Sequence, residues 1–275
     1  MNRKELREVN RQLLLRERRE ERVFPVRKDR ERTGLEKSIE EKIPEKAREA
    51  LDRAFYLAFQ TLFLQGTGLL DKTFNGRKLE QDHAVQDFML RYQGKNERAH
   101  VRGFHLRGVR SAVMTTAVAT VEGTALGLFG IGLPDIAILM GILLRGVYQM
   151  ALRYGFRYDS KQEQYYILLL LQSALSSPAK RPGCAARCDA AGRAIDSGEP
   201  FRMDLEEEMK RTAKLLSDSM LLLKFLQGTA VVGAVGGVCN FSASRRVMQV
   251  ANLKYQKRFL EKKRRKLTGR WGNDL

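Results

Sequence analysis

A chain of 275 residues is long enough to bury a sizeable core and to form one or two domains. Its 50 Lys and Arg against 32 Asp and Glu leave a formal charge of +18, which favours acidic partners: anionic lipid head groups, nucleic acid or an acidic protein. A mean hydropathy of −0.38 argues against a polytopic membrane protein. Three cysteines, Cys184, Cys188 and Cys239, are too few for a disulfide framework, and no signal-peptide pattern opens the chain, so a reducing, cytoplasmic setting is expected.

In chain order, residues 1–42 form a charged arm rich in Arg and Glu, with only scattered Leu and Val, and read as either a charged helix or a disordered segment. Near Pro44, a good first-turn residue, a firmer helix begins. It spaces Ala47, Ala50, Leu51, Ala54, Phe55, Ala58 and Leu62 on one face before Gly66 stops it. Leu69 to Tyr92 reads as a further helix or two, broken at Asn75-Gly76. Arg98, Arg102, Arg107 and Arg110 then precede a long apolar run.

That run breaks at the sequence GLFGIGLPD. Gly127, Gly130 and Gly132 permit backbone angles closed to other residues, while Pro134 disfavours helix at Leu133. Asp135 is placed as an N-cap of a helix starting at Ile136. Ile136, Leu139, Ile142, Leu143, Val147, Met150 and Ala151 give that helix a broad apolar surface, and Gly141, Arg145, Gln149 and Arg153 form a small and polar stripe. It ends at Tyr154-Gly155-Phe156.

Ser160 and Glu163 then form a capping box for a helix carrying Tyr166, Ile167, Leu170, Leu171 and Ala174. Residues 176–200 hold three prolines and several glycines and read as a long surface loop. A helix from about Met203 to Leu226 has Leu205, Met209, Leu216, Met220 and Leu223 in register. A second glycine-rich apolar stretch, QGTAVVGAVGGVCNF, with Gly228, Gly233, Gly237 and Asn240, leads into a final helix that turns strongly basic. No convincing strand alternation occurs. The expected fold is a mainly α helical bundle with two glycine-rich apolar hairpins, its domain spanning residues 43–266 and followed by a tail, 267–275.

The two hairpins resemble each other. Glu122-Gly123-Thr124-Ala125 matches Gln227-Gly228-Thr229-Ala230, and each region has glycines four apart, Gly123 with Gly127 and Gly233 with Gly237, suited to close helix approach. Composition alone could also produce this likeness. Ser111–Leu133 and Met220–Cys239 each approach the ~20 residues of a membrane span. However, Glu122 falls near the middle of the first, where a charge costs at least about 2.5 kcal/mol.

Glu122 and Asp135 could converge as an acid and base, with Arg145 as an anion clamp; Asp135 is equally explained as a cap. No metal site is expected, because Cys184 and Cys188 stand alone in the loop and His83, His100 and His105 show no paired spacing. The cations Lys254, Lys257, Arg258, Lys262, Lys263, Arg264, Arg265 and Lys266, with Tyr255, Phe259 and Leu260 among them, suit an anionic membrane surface. A solvated helix end would look the same.

The segment EGTALGLFGIGLPDIAILMGILLRGVYQMALRYGF, with QGTAVVGAVGGVCNF and YQKRFL after it, resembles the EcsC family of bacterial proteins over roughly residues 45–265. The resemblance implies a helical protein whose founding member is encoded beside an ABC transporter, and it implies no enzyme activity or cofactor. The expectation is a membrane-associated accessory protein at the inner face of the cell membrane, meeting anionic lipid or an apolar ligand. The alternatives are a hydrolase-like enzyme using Glu122, Asp135 and Arg145, and a nucleic-acid-binding protein.

Overall fold

The computed structural model describes residues 3–24, 44–64, 133–226 and 236–269. Among these the chain is helical and contains no strand. The helices are α1 (Arg3–Val23), α2 (Glu45–Leu64), α3 (Leu133–Arg153), α4 (Lys161–Leu175), α5 (Arg181–Ser197), α6 (Leu205–Leu226) and α7 (Gly236–Thr268). Both glycine turns, Glu122, Gly123, Gly127, Gly130, Gly132, Gly228, Gly233 and hence the pseudo-repeat lie outside the described residues, as does everything read between Gly66 and Leu128.

The described part of the charged arm is helical over Arg3–Val23: α1 lays Val9 and Leu13 inward against Leu260 of α7. Helix α2 starts just after Pro44, whose carbonyl accepts from the amides of Ala47 and Arg48. Ala47, Leu51, Ala54, Phe55, Ala58 and Leu62 are buried, as their spacing predicts.

Helix α3 starts at Leu133, so Pro134 and Asp135 sit in its first turn. Asp135 is therefore the third helical residue and not the residue preceding the helix. Proline is tolerated in a first turn, whose amides have no partner within the helix. The YGF sequence is a helix stop. Gly155 adopts φ 75, its amide donates to the Leu152 carbonyl at 2.9 Å, and the Phe156 amide reaches back to Ala151 at 2.9 Å. These paired bonds satisfy carbonyls that the helix end leaves open, and they tuck Phe156 into the core.

Residues 176–200 are not a loop, because α5 occupies most of them. Pro182 falls in the first turn of α5, and Gly198, at φ 71, closes it by the same two-bond arrangement, with Glu199 N reaching Ala194 O at 3.1 Å. Residues read as breakers therefore sit where helices begin and end. The buried side of α5 is small, built from Ala185, Cys188, Ala191 and Gly192, which brings its backbone close to its neighbours.

Packing centres on α7, which contacts α1, α3, α4 and α5, while α2 and α6 pair with each other and close the bundle through α3 and α4. The core includes Met140, Leu143, Tyr148, Tyr166 and Tyr255. Two glycines mark close approaches. A Cβ on Gly146 would collide with Met248 Sδ, near the end of a flexible side chain, whereas one on Gly192 would lie 2.9 Å from Arg258 Cδ and 3.0 Å from the Tyr166 ring. Gly192→Ala is accordingly expected to destabilise by about 1–3 kcal/mol, the usual cost of overpacking. Gly146→Ala should be near neutral, since Met248 can swing away and alanine improves helix propensity by about 1 kcal/mol. Urea unfolding of both variants checks the contrast, and equal losses would contradict it.

Candidate functional site

Among the described residues, a dense set of buried ion pairs lies where α7 crosses α5, α4 and α1. Lys254 is fully buried, yet its ammonium is satisfied: it donates to Asp189 Oδ1 at 2.7 Å, to the Ala185 carbonyl at 3.2 Å and to Glu20 of α1. Lys257, one turn on, bridges the same two carboxylates, reaching Asp189 at 2.8 Å and Glu20 at 3.1 Å. Burial alone would pull the Lys254 ammonium down, but the carboxylates of Asp189 and Glu20 hold it above the usual lysine value. Conversely, burial would raise the Asp189 carboxyl, and Lys254 and Lys257 hold it below the ordinary range.

A second node forms around Arg258. Its guanidinium is bidentate to Asp196, at 2.8 and 3.0 Å, and donates to Glu163 at 2.8 Å. The cation is also sandwiched between rings, 4.3 Å from the Phe156 centroid and 4.2 Å from that of Tyr166. Ser160 caps α4 as expected, accepting from the Glu163 amide at 3.1 Å. The Glu163 carboxylate, expected to complete the capping box, instead turns inward to Arg258. Burial outweighs the pairing with Arg258 at Glu163 and pushes its carboxyl up. Cys188 lies in the same region, and burial pushes its thiol up to about 12, so it stays a neutral, inert packing group.

A third node ties α4 to α5 and α6: Gln172 donates to Glu208 at 2.7 Å and to Thr212 at 2.9 Å, and Arg187 pairs with Glu208. Taken together, these groups join helices. They present no open nucleophile paired with a base, and among the described residues no cluster of His, Cys, Asp and Glu is arranged to hold a metal ion.

Residues 7–260 match a family model described as the EcsC protein family. The chain belongs to the EcsC family. No curated protein and no solved structure matches it. The EcsC match starts inside α1, earlier than residue 45, where the sequence resemblance begins.

Within this EcsC chain the expected site residues are dispersed. Glu122 lies outside the described residues. Asp135 and Arg145 occupy one continuous helix ten residues apart, about 15 Å along its axis, too far to serve one small reacting group. Arg145 is half-buried, and that burial pulls its guanidinium down. Tyr154 donates to Asn252 at 2.7 Å and so ties the end of α3 to α7; Gly237 and Asn240 fall in the first turns of α7.

The basic tail is mostly engaged inside the chain. Lys254, Arg258 and Lys263 are buried, Lys257 is engaged with Glu20 and Asp189, Lys263 meets Glu5 at 3.3 Å, and Arg265 lies 3.6 Å from Asp196. Lys262 and Lys266 are exposed and Arg264 is partly so. Most of the cations assigned to an external anion are thus matched inside the chain, because α1 and α5 carry their carboxylates. Sequence reading missed those partners. The available signal was Asp189 and Asp196, two turns apart on one face of a helix mistaken for loop.

The shifts carry a sign. Asp189, held below 3.8, adds stability above that pH that is lost as pH falls through its lower native value; Lys254 and Lys257, held above 10.5, add stability below that pH that fades as pH rises through their higher native values. Asp189→Asn is expected to cost about 3 kcal/mol near neutral pH, as loss of one partner in a buried ion pair does. The cost should shrink in acid, as pH falls below 3.8 toward the lower native value of Asp189. Urea unfolding near neutral pH and in acid checks this, and an unchanged difference would contradict the role given to the carboxylate.

Proposed function

We propose that this EcsC protein is a non-catalytic, peripheral lipid-contacting factor at the cytoplasmic face of the membrane. One observation carries the reading. The buried cations of α7 are matched by carboxylates of the same chain, so the excess positive charge of the described residues is left largely to outward side chains such as Arg7, Arg18, Arg22, Lys262 and Lys266, where it attracts anionic lipid. No helix among the described residues is long and apolar enough to cross a membrane, which suits attachment by charge. An accessory role beside an ABC transporter is the part of the proposal supported by family resemblance alone. The enzymatic reading lacks comparable support, because Asp135 and Arg145 stand too far apart and the buried carboxylates are committed to ion pairs.

Fractionation of expressing cells tests the proposal. The protein is expected in the membrane pellet and should be released by a high-salt wash. Release only by detergent would contradict attachment by charge and point to inserted segments, and recovery wholly in the supernatant would overturn the membrane reading.

A further inference from the structure

Helix α1 has two unlike faces. Its inward face carries Val9 and Leu13 against Leu260, Glu5 against Lys263, and Glu20 against Lys254 and Lys257. Its outward face carries Arg3, Arg7, Arg11, Leu14, Arg18 and Arg22, all exposed and spaced by three or four residues, which places them in one stripe along the helix. Leu15 lies beside Leu14. These two, 57% and 43% exposed, are the exposed large hydrophobics among the described residues.

We infer that this outward stripe of α1 is the surface that docks on an anionic lipid bilayer, with Leu14 and Leu15 entering the interface and the flanking arginines meeting lipid phosphates. The inference rests on the membrane reading above and names the face that carries it.

Three features support the assignment. First, two adjacent leucines held in water in the middle of a cationic stripe have the pattern of an interfacial helix, apolar at its centre and basic at its flanks. Second, the acidic side chains cancel only part of the stripe: Glu5 and Glu20 are turned to α7, Glu8 pairs with Arg11, and Glu17 and Glu21 are the remaining carboxylates of the helix, against outward Arg3, Arg7, Arg18 and Arg22. Third, the helix is anchored from behind by buried ion pairs, so it can present the stripe without leaving the bundle. A nucleic acid would use the arginines equally well but gives the leucines no role.

The test is co-sedimentation of the full chain with vesicles of equimolar phosphatidylglycerol and phosphatidylcholine, and with phosphatidylcholine alone. The variants are Leu14→Ser with Leu15→Ser, Arg7→Gln with Arg18→Gln and Arg22→Gln, and, as a control on α7, Lys262→Gln with Lys266→Gln. All of these positions are exposed, so thermal midpoints should match the unaltered chain. Binding to the anionic vesicles alone is expected, weakened about tenfold by the leucine pair and roughly fivefold per arginine removed, with the α7 control near unaltered. If the unaltered chain binds and the α1 variants bind equally well, the stripe is overturned while the membrane reading stands. If the unaltered chain binds neither vesicle, both fall. Retention of a DNA duplex at physiological salt, lost with the arginine variant and untouched by the leucine one, would overturn the lipid assignment in favour of nucleic acid.

Discussion

The architecture depends on two cations buried in α7. Removing an ammonium or guanidinium from water costs several kcal/mol unless each donor finds an acceptor and each charge a counter-charge. Lys254 and Arg258 meet that demand by drawing on three other helices. Glu20 comes from α1, Asp189 and Asp196 from α5, and Glu163 from α4. None of these helices can shift far without stranding a charge. The aromatic rings of Phe156, Tyr166 and Phe24 complete the enclosure, each lying against one of the two cations.

This constraint changes where the charge of the chain can act. A basic helix end, judged alone, looks like a handle for an external anion. Here much of it is internal structure, neutralised by carboxylates that are remote in sequence and adjacent in space. Positive charge that remains available lies elsewhere, including the outward arginines of α1, whose inward glutamates help neutralise α7. One helix thus completes the ion-pair core on one side and presents cations on the other. Burial assigns the two roles, because Glu5 and Glu20 face in while Arg3, Arg7, Arg11, Arg18 and Arg22 face out.

Much of the fold was legible because it rests on local rules. The apolar spacing of α2 placed its buried face correctly from Ala47 to Leu62, and Ser160 capped α4 as its position implied. The mainly α class and the EcsC membership followed from pattern and motif. What failed was position-dependent or long-range. The prolines and glycines of residues 176–200 suggest a loop, but Pro182 in a first turn and Gly198 just past a last turn are how a helix is bounded. Glu163 was assigned a local role in a capping box, and a partner 95 residues away claimed its carboxylate. No local pattern announces that Lys254 needs Glu20, which comes from the far end of the chain.

The central claim is that α1 belongs to one cooperative unit with α5 and α7, joined through Lys254. Amide hydrogen exchange of the unaltered chain and of Lys254→Met tests it most directly. The account predicts that amides in the second half of α1 are protected together with those of α5 and central α7, and that Lys254→Met lowers protection in all three helices together. Immediate exchange throughout α1 in the unaltered chain, with α5 and α7 protected, would contradict it.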